Sequence, residues 1–187
     1  MKIIGAVGQN GSGKDEVLKY LRSRYGIPFK STGDMVREIA AKEGLEPTRE
    51  NLQKISEKYF REYGKGCFVK LLAEKIKQTG ENIIGISGIR SADDVRILSE
   101  IFHKDFILVD VRVSNPRMRY LRMSRRGEER DPHNYEQFLR NEEAEEELFH
   151  ISEAEKHANY SINNDGGLDD LHKEIDKLVS VKGLLNI

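Results

Sequence analysis

Cysteine is nearly absent: Cys67 stands alone among 187 residues. One thiol excludes an intramolecular disulfide and cannot build a thiolate zinc centre, so a reducing cytoplasm is the expected setting. Long apolar runs are missing too. The stretch from Met1 to Val7 carries one lysine and a run too short for the core of a secretory signal. No segment approaches the length of a membrane-spanning helix, so no membrane partner is expected. A charge excess is also lacking: 31 Lys and Arg against 32 Asp and Glu leave a net charge of −1. That balance removes any bulk attraction to nucleic acid, which is not an expected partner, and leaves only local basic patches. There is no internal repeat, low-complexity tract or interdomain linker. No Ser/His/Asp or Cys/His grouping stands out. The five histidines are scattered, and His150 and His157, seven apart, read as a solvated helix face.

What is present is a residue pattern that alternates between two periods. Hydrophobic residues at 37% and charged residues at 34% fit one α/β domain with charged helix surfaces. Ile3, Ile4, Ala6 and Val7 form a short continuous apolar run, as in a strand buried on both faces. Val17, Leu18 and Leu21 then keep helical spacing. Further strands are expected at Ile27–Lys30, Ile83–Ile86, Phe106–Val113 and, weakly, Ser161–Ile162. Helices are expected from Asp34 to about Lys42, after Thr48, from Phe68 to Ile76, after Ser91, from Asn115 to Arg126, from Tyr135 to about Glu155, and along Leu168, Leu171, Ile175 and Leu178. Strands alternating with helices imply a parallel sheet covered on both faces.

The first strand-to-helix junction carries the chemistry. Gly8-Gln9-Asn10-Gly11-Ser12-Gly13-Lys14 fills the first seven positions of G-x-x-x-x-G-K-[ST]. Glycines let backbone N–H groups turn toward phosphates, the helix N-terminus adds positive potential, and Lys14 supplies a charge for the β- and γ-phosphates. Gly8, Asn10, Gly11, Ser12, Gly13, Lys14 and Asp15 are therefore candidate ATP-binding residues. The eighth position departs from the pattern. Asp15 stands where a hydroxyl usually ligates Mg²⁺. A carboxylate can hold that ion directly or through water, and it equally suits the first turn of a helix. Ser-Gly-Lys-Asp resembles the P-loops of phosphomevalonate kinases and of phage deoxynucleoside monophosphate kinases.

Ser31-Thr32-Gly33-Asp34-Met35-Val36-Arg37 resembles the Ser-Thr-Gly-Asp-Met-Leu-Arg segment of adenylate kinases. That resemblance implies acceptor binding by Thr32, Asp34 and Arg37; from the residues alone, Thr32 or Asp34 could cap a helix and Arg37 could lie on the surface. Ile86-Ser87-Gly88-Ile89-Arg90-Ser91 resembles the same family's Asp-Gly-x-Pro-Arg segment, which makes Arg90 the candidate grip on the acceptor phosphate. Ser87 stands where that segment has a carboxylate supporting Mg²⁺. A carboxylate is thus lost at Ser87 and gained at Asp15, and the expectation is that Asp15 takes over the metal role. Asp34 and Asp110 are the fallback carboxylates.

Arg119, Arg122, Arg125, Arg126 and Arg130 crowd one segment. They can balance a helix dipole and the acidic stretch that follows, or form a lid that neutralises transferred charge. Arg122 and Arg126, four apart on one helix face, are the catalytic candidates beside Lys14. The segment is too short for a zinc-bearing lid. Ala158 to Gly166 resembles the Ala-Asp-x-x-Ile-x-Asn-x-Gly stretch of dephospho-CoA kinases, whose loop lies near the donor base. Asn164 is the candidate there, although Asn-Asp-Gly-Gly is also simply a good turn.

As a whole the chain resembles the nucleoside monophosphate kinase and dephospho-CoA kinase group of P-loop proteins, including uncharacterised archaeal members. The resemblance covers the chain in order. It implies a three-layer P-loop NTP hydrolase fold with a five-stranded parallel sheet in a single domain spanning 1–187. The acceptor-binding helical region would cover about 32–80 and a short lid about 119–133. It implies ATP and Mg²⁺ as cofactors, a (deoxy)nucleoside monophosphate as acceptor with dephospho-CoA as the alternative, and allows a homodimer. A nucleotide-binding regulator, with a partner docked on the glutamates from Glu142 to Glu147, is the competing class.

Overall fold

Fourteen segments of regular structure organise the chain in the computed structural model, which describes residues 1–128, 131–181 and 183–185. They run β1 (Lys2–Val7), α1 (Lys14–Tyr25), β2 (Phe29–Ser31), α2 (Thr32–Lys42), α3 (Arg49–Tyr63), α4 (Cys67–Lys77), β3 (Ile83–Ser87), α5 (Ala92–Phe102), β4 (Phe106–Arg112), α6 (Pro116–Arg126), α7 (Tyr135–Phe149), α8 (Ile151–Glu155), β5 (Tyr160–Asn163) and α9 (Leu168–Ser180). A single 3₁₀ turn, His103–Asp105, leads into β4.

All four ladders are parallel, in the order β2-β3-β1-β4-β5. The first strand therefore sits at the centre, with β3 and β4 on either side. Its residues alternate between two cores. Ile3 joins Ile84, Ile86 and Leu108 beneath α2, α4, α5 and α8, while Ile4 and Ala6 join Val109, Val111 and Ile162 beneath α1 and α9. The continuous apolar run at residues 3–7 is the direct consequence of burial on both faces. On α1, Val17, Leu18 and Leu21 fall on one stripe and are buried. Truncating a side chain as enclosed as Leu21 to alanine costs about 2–5 kcal/mol.

The helix starts follow side-chain chemistry. Ser31 and Ser91 each accept the N–H three residues on, from Asp34 and Asp94, whose carboxylates reach back to the serine N–H. Thr48, Asn115 and Asn134 also accept from their own first turns. These capping contacts satisfy N–H groups that have no partner within the helix.

The acidic stretch is the principal difference from the sequence reading. It is not one helix to Glu155. His150 adopts a left-handed backbone, φ 51 and ψ 53, and ends α7. α7 buries only Phe138, whereas Ile151 and Ala154 must enter the core against α5. A change of axis at His150 allows both. Lys65 Nζ donates to the Leu148 carbonyl at 2.8 Å, and the Ser152 N–H donates to Glu146 at 3.1 Å, so the break is hydrogen-bonded. On α9, Leu171, Ile175 and Leu178 are buried as their spacing implies, but Leu168 in the first turn is exposed. No helix among the described residues is long and apolar enough to cross a membrane.

Candidate active site

The glycine loop leaves the C-terminal end of β1 and turns into α1 at the point where the sheet order reverses between β3 and β4. Ligands of open parallel sheets collect at such a point. Gly8, Gly11 and Gly13 all have positive φ. At Gly11 a Cβ would lie 2.7 Å from the Arg119 carbonyl oxygen, so the backbone of α6 rests directly on the crown of the loop. The Asn164 amide braces the other side, donating to the Ser12 carbonyl at 2.8 Å. The sequence-identified cradle is thus gripped from the lid side and from the loop after β5. Asn164 is buried and holds the P-loop backbone.

Lys14 opens α1 inside this cradle. Desolvation pushes its ammonium below the usual lysine range; Asp15 and Glu145 oppose that shift, and the charges of Arg90 and Arg126 reinforce it. Lys14 thus feels charges of both signs, from Asp15 and Glu145 on one hand and from Arg90 and Arg126 on the other.

Asp15 and Ser87 are in contact. The Ser87 hydroxyl donates to Asp15 Oδ1 at 2.6 Å. The two positions whose identities depart from the expected motifs are therefore hydrogen-bonded neighbours. Oδ1 alone of the Asp15 carboxylate is engaged among the described residues. No group of three or more His, Cys, Asp or Glu that could hold a metal occurs among them. A hard cation with one protein carboxylate suits the magnesium of a nucleotide complex, which draws its other oxygens from phosphates and water. The residues present fit that ion, which Asp15 would hold. Asp110, a fallback carboxylate, is buried and paired with Arg112 instead.

On the acceptor side, Thr32 Oγ1 donates to the Gly88 carbonyl at 3.2 Å, tying the start of α2 to the end of β3. Asp34 serves the capping box and accepts from Arg37 at 2.5 Å. Burial alone would raise the Asp34 pKa; Arg37 and Ser31 reverse this and hold it below the usual carboxylate range. Arg37 thus spends part of its guanidinium on Asp34. Arg90 is exposed, with its guanidinium 5.4 Å from the Phe149 ring centre.

The arginine cluster separates into distinct roles. Arg122 donates to the carbonyls of Asn164 at 2.8 Å and Gly166 at 3.0 Å, and burial lowers its pKa. It joins α6 to the loop after β5. Arg126 is more open; it pairs with Asp131 and lies 3.1 Å from Glu128. Arg130 lies outside the described residues. Arg119, which spacing alone does not single out, is buried and ion-paired with Glu142. A signal for Glu142 was available: Tyr135, Phe138 and Glu142 share one face of the helix, and Tyr135 and Phe138 stack with ring centres 5.7 Å apart.

The loop residues Asn163, Asp165 and Gly166 border a shallow cleft of about 570 Å³ with Asp170, Lys173 and Lys177. Asp165 fixes that loop, accepting from the Ser114 N–H and hydroxyl at 2.7 Å each. A second cleft of about 520 Å³ runs behind the P-loop past Gln9, Arg112, Arg119, Glu155 and Ser161.

A family model described as an AAA domain matches residues 7–139. A UPF0200 protein of Thermococcus kodakarensis is 34% identical over 179 residues, covering 95% of this chain and 96% of its own. A UPF0200 protein of Pyrococcus horikoshii is 36% identical over 180 residues, covering 95% and 96%. Among solved structures, a shikimate kinase from Bacteroides thetaiotaomicron superposes with a TM-score of 0.60 at 15% identity, covering 97% of this chain and 98% of its own. A gluconokinase from Sinorhizobium meliloti gives 0.58 at 15% identity, covering 100% and 98%. The two structural likenesses show a shared P-loop kinase fold.

Proposed function

The chain belongs to the AAA domain family and to the UPF0200 proteins, and from that premise we propose that it transfers the terminal phosphoryl group of ATP to a small acceptor, releasing ADP. One observation carries the reading: the glycine loop Gly8–Gly13 turns into α1 at Lys14, braced by the Arg119 backbone and the Asn164 amide. Phosphoryl transfer asks the protein for positioning and charge neutralisation rather than a nucleophile. Here the loop Gly8–Gly13 holds the donor phosphates, Lys14 and Arg126 oppose the charge on the group in flight, and Arg90 orients the acceptor. Arg122 keeps α6 seated on the donor loop, and Asn164 fixes the P-loop backbone. Asp15 would hold magnesium, with Ser87 fixing the carboxylate; when bound, that ion neutralises charge between the donor phosphates. In this reading residues 32–80 form the acceptor side and 119–133 the lid of one domain spanning 1–187.

The acceptor proposed is a nucleoside or deoxynucleoside monophosphate, because the Ser31–Arg37 and Ile86–Ser91 segments resemble in sequence those of adenylate kinases; dephospho-CoA is the alternative. The Arg37–Asp34 pair favours a second reading. With Arg37 partly neutralised, a less highly charged hydroxyl acceptor suits the site, in keeping with the shikimate and gluconate kinases of the same fold. ADP release with ATP and Mg²⁺ should be measured against a panel of nucleoside monophosphates, dephospho-CoA, shikimate and gluconate. Strong stimulation by one acceptor supports the kinase and names its class. Tight ATP binding without stimulation by any acceptor points to a nucleotide-binding regulator and sinks the kinase reading.

A further inference from the structure

Arg119 is fully enclosed at the root of the lid helix, 4% exposed, yet its contacts lead to the phosphate loop. Nη1 donates to the Asn10 carbonyl at 3.2 Å and pairs with Glu142 of α7. The guanidinium lies 5.2 Å from the Phe138 ring centre. Its own carbonyl abuts Gly11. A single residue therefore touches the two residues at the crown of the loop, Asn10 through its side chain and Gly11 through its backbone. A buried guanidinium without a counter-ion would be costly, and Glu142 provides one from the second turn onward of the acidic helix. Burial raises the Glu142 pKa, and Arg119 opposes the rise. Nε of Arg119 is buried without a hydrogen-bond partner, so the side chain is held by Nη1 and by the aromatic ring rather than by a saturated network.

We propose that Arg119 is a positioning residue for phosphoryl transfer: it sets the conformation of Asn10 and Gly11 in the phosphate loop, and Glu142 serves as its counter-ion. The acidic helix thereby acts on the donor loop without touching the nucleotide. This inference rests on the nucleotide-binding reading above only for its effect on affinity, and not for its effect on the loop itself.

The test compares Arg119→Gln, Arg119→Lys and Glu142→Gln in the full chain. ADP affinity is measured by calorimetry, loop order by amide hydrogen exchange at residues 10–14 without nucleotide, and stability by thermal unfolding. Arg119→Gln should weaken ADP about tenfold or more, since small displacements of a binding loop have effects of that size, and should speed exchange in the loop. Arg119→Lys keeps the charge opposite Glu142, and hence the fold, but loses the fork that reaches Asn10; it should shift both readouts in the same direction by less. Glu142→Gln should lower the unfolding temperature while leaving ADP affinity within about twofold, because its amide oxygen still receives Nη1 and the Asn10 contact survives. If the Arg119 variants lose stability but leave loop exchange and ADP affinity unchanged, the pair merely fastens α6 to α7 and the proposal is overturned. Equal loss of ADP affinity in Glu142→Gln and Arg119→Gln overturns it too. If the wild-type chain binds no ADP while loop exchange still responds to Arg119, the nucleotide reading fails and the positioning role stands.

Discussion

The Ser87 hydroxyl donates a hydrogen bond to Asp15 Oδ1 across 2.6 Å, joining the end of β3 to the first turn of α1. Asp15 thus brings a carboxylate within hydrogen-bond reach of the β3 position that has none. Asp15→Ser should weaken Mg²⁺-dependent turnover about 10–100-fold, the usual cost of disturbing a metal's immediate surroundings. Restoring the carboxylate from the other side, in Asp15→Ser/Ser87→Asp, should recover much of that loss. The measurement is ADP release as Mg²⁺ is titrated; no recovery in the double variant would show that the two positions are not interchangeable.

Arg122 and Arg126 should separate cleanly. Arg126→Lys keeps a charge for the buried Asp131 carboxylate but loses the planar fork, so turnover should fall about tenfold or more. Because a cation still answers the buried Asp131, stability should change by no more than about 1 kcal/mol. Arg122→Ala loses two carbonyl contacts between α6 and the β5–α9 loop, and should cost about 1–3 kcal/mol of stability as well as activity. Urea unfolding beside steady-state kinetics checks the split. Equal stability losses in the two variants would contradict it.

Glu155 should make stability pH-dependent near neutrality. Desolvation, then the charge of Asp110, raise its pKa from 4.5 to about 7, against Arg112 and Arg119. An acid whose folded value lies above its unfolded one binds its proton more tightly when folded. Its favourable contribution is complete below about 4.5 and is lost as pH rises through about 7. Glu155→Gln should flatten that slope and stand above the wild type at pH 8 by on the order of 1 kcal/mol. Unfolding midpoints at pH 5 and pH 8 decide it; parallel profiles for the two proteins would refute the assignment.

Gly88 should tolerate no side chain while Thr32 is present. Its φ is 86, and a Cβ would lie 2.1 Å from Thr32 Oγ1. Gly88→Ala should destabilise the fold by about 2–4 kcal/mol through clash and left-handed backbone together. Thr32→Ala in the same chain should restore about half, since the backbone strain remains. Denaturant midpoints of the single and double variants test this, and additivity of the two losses would exclude the clash.

Much of this was legible in the residues. The run at Ile3–Val7 betrays a doubly buried strand because its side chains alternate into two apolar layers, and the glycine pattern betrays the cradle because few backbones curl that way. Ser91 and Thr48 announce helix starts by their own hydrogen-bonding. The break at His150 was not legible: the residue carries no turn signature, and the left-handed backbone is imposed by Ile151 and Ala154 seeking the core. The neutralised Asp34–Arg37 pair was hidden too, since the motif reads the same whether the two side chains meet each other or a ligand. Arg119 among five arginines was indistinguishable because burial is decided by α7, which arrives from a different part of the chain.

The central place of β1 also governs how the chain must assemble. β1 is made before the strands it pairs with, Lys2 with Ile83 and Ile3 with Phe106, and among the described residues no strand pairs with a hairpin neighbour. The phosphate loop has no formed sheet to spring from until β3 and β4 have been made and docked. Ladders this distant in sequence slow folding, because loop closure must precede any reward in contacts. Until residue 87 has emerged β1 has no neighbour, and until residue 112 its other edge stays open, so the nascent chain carries an unpaired template for aggregation.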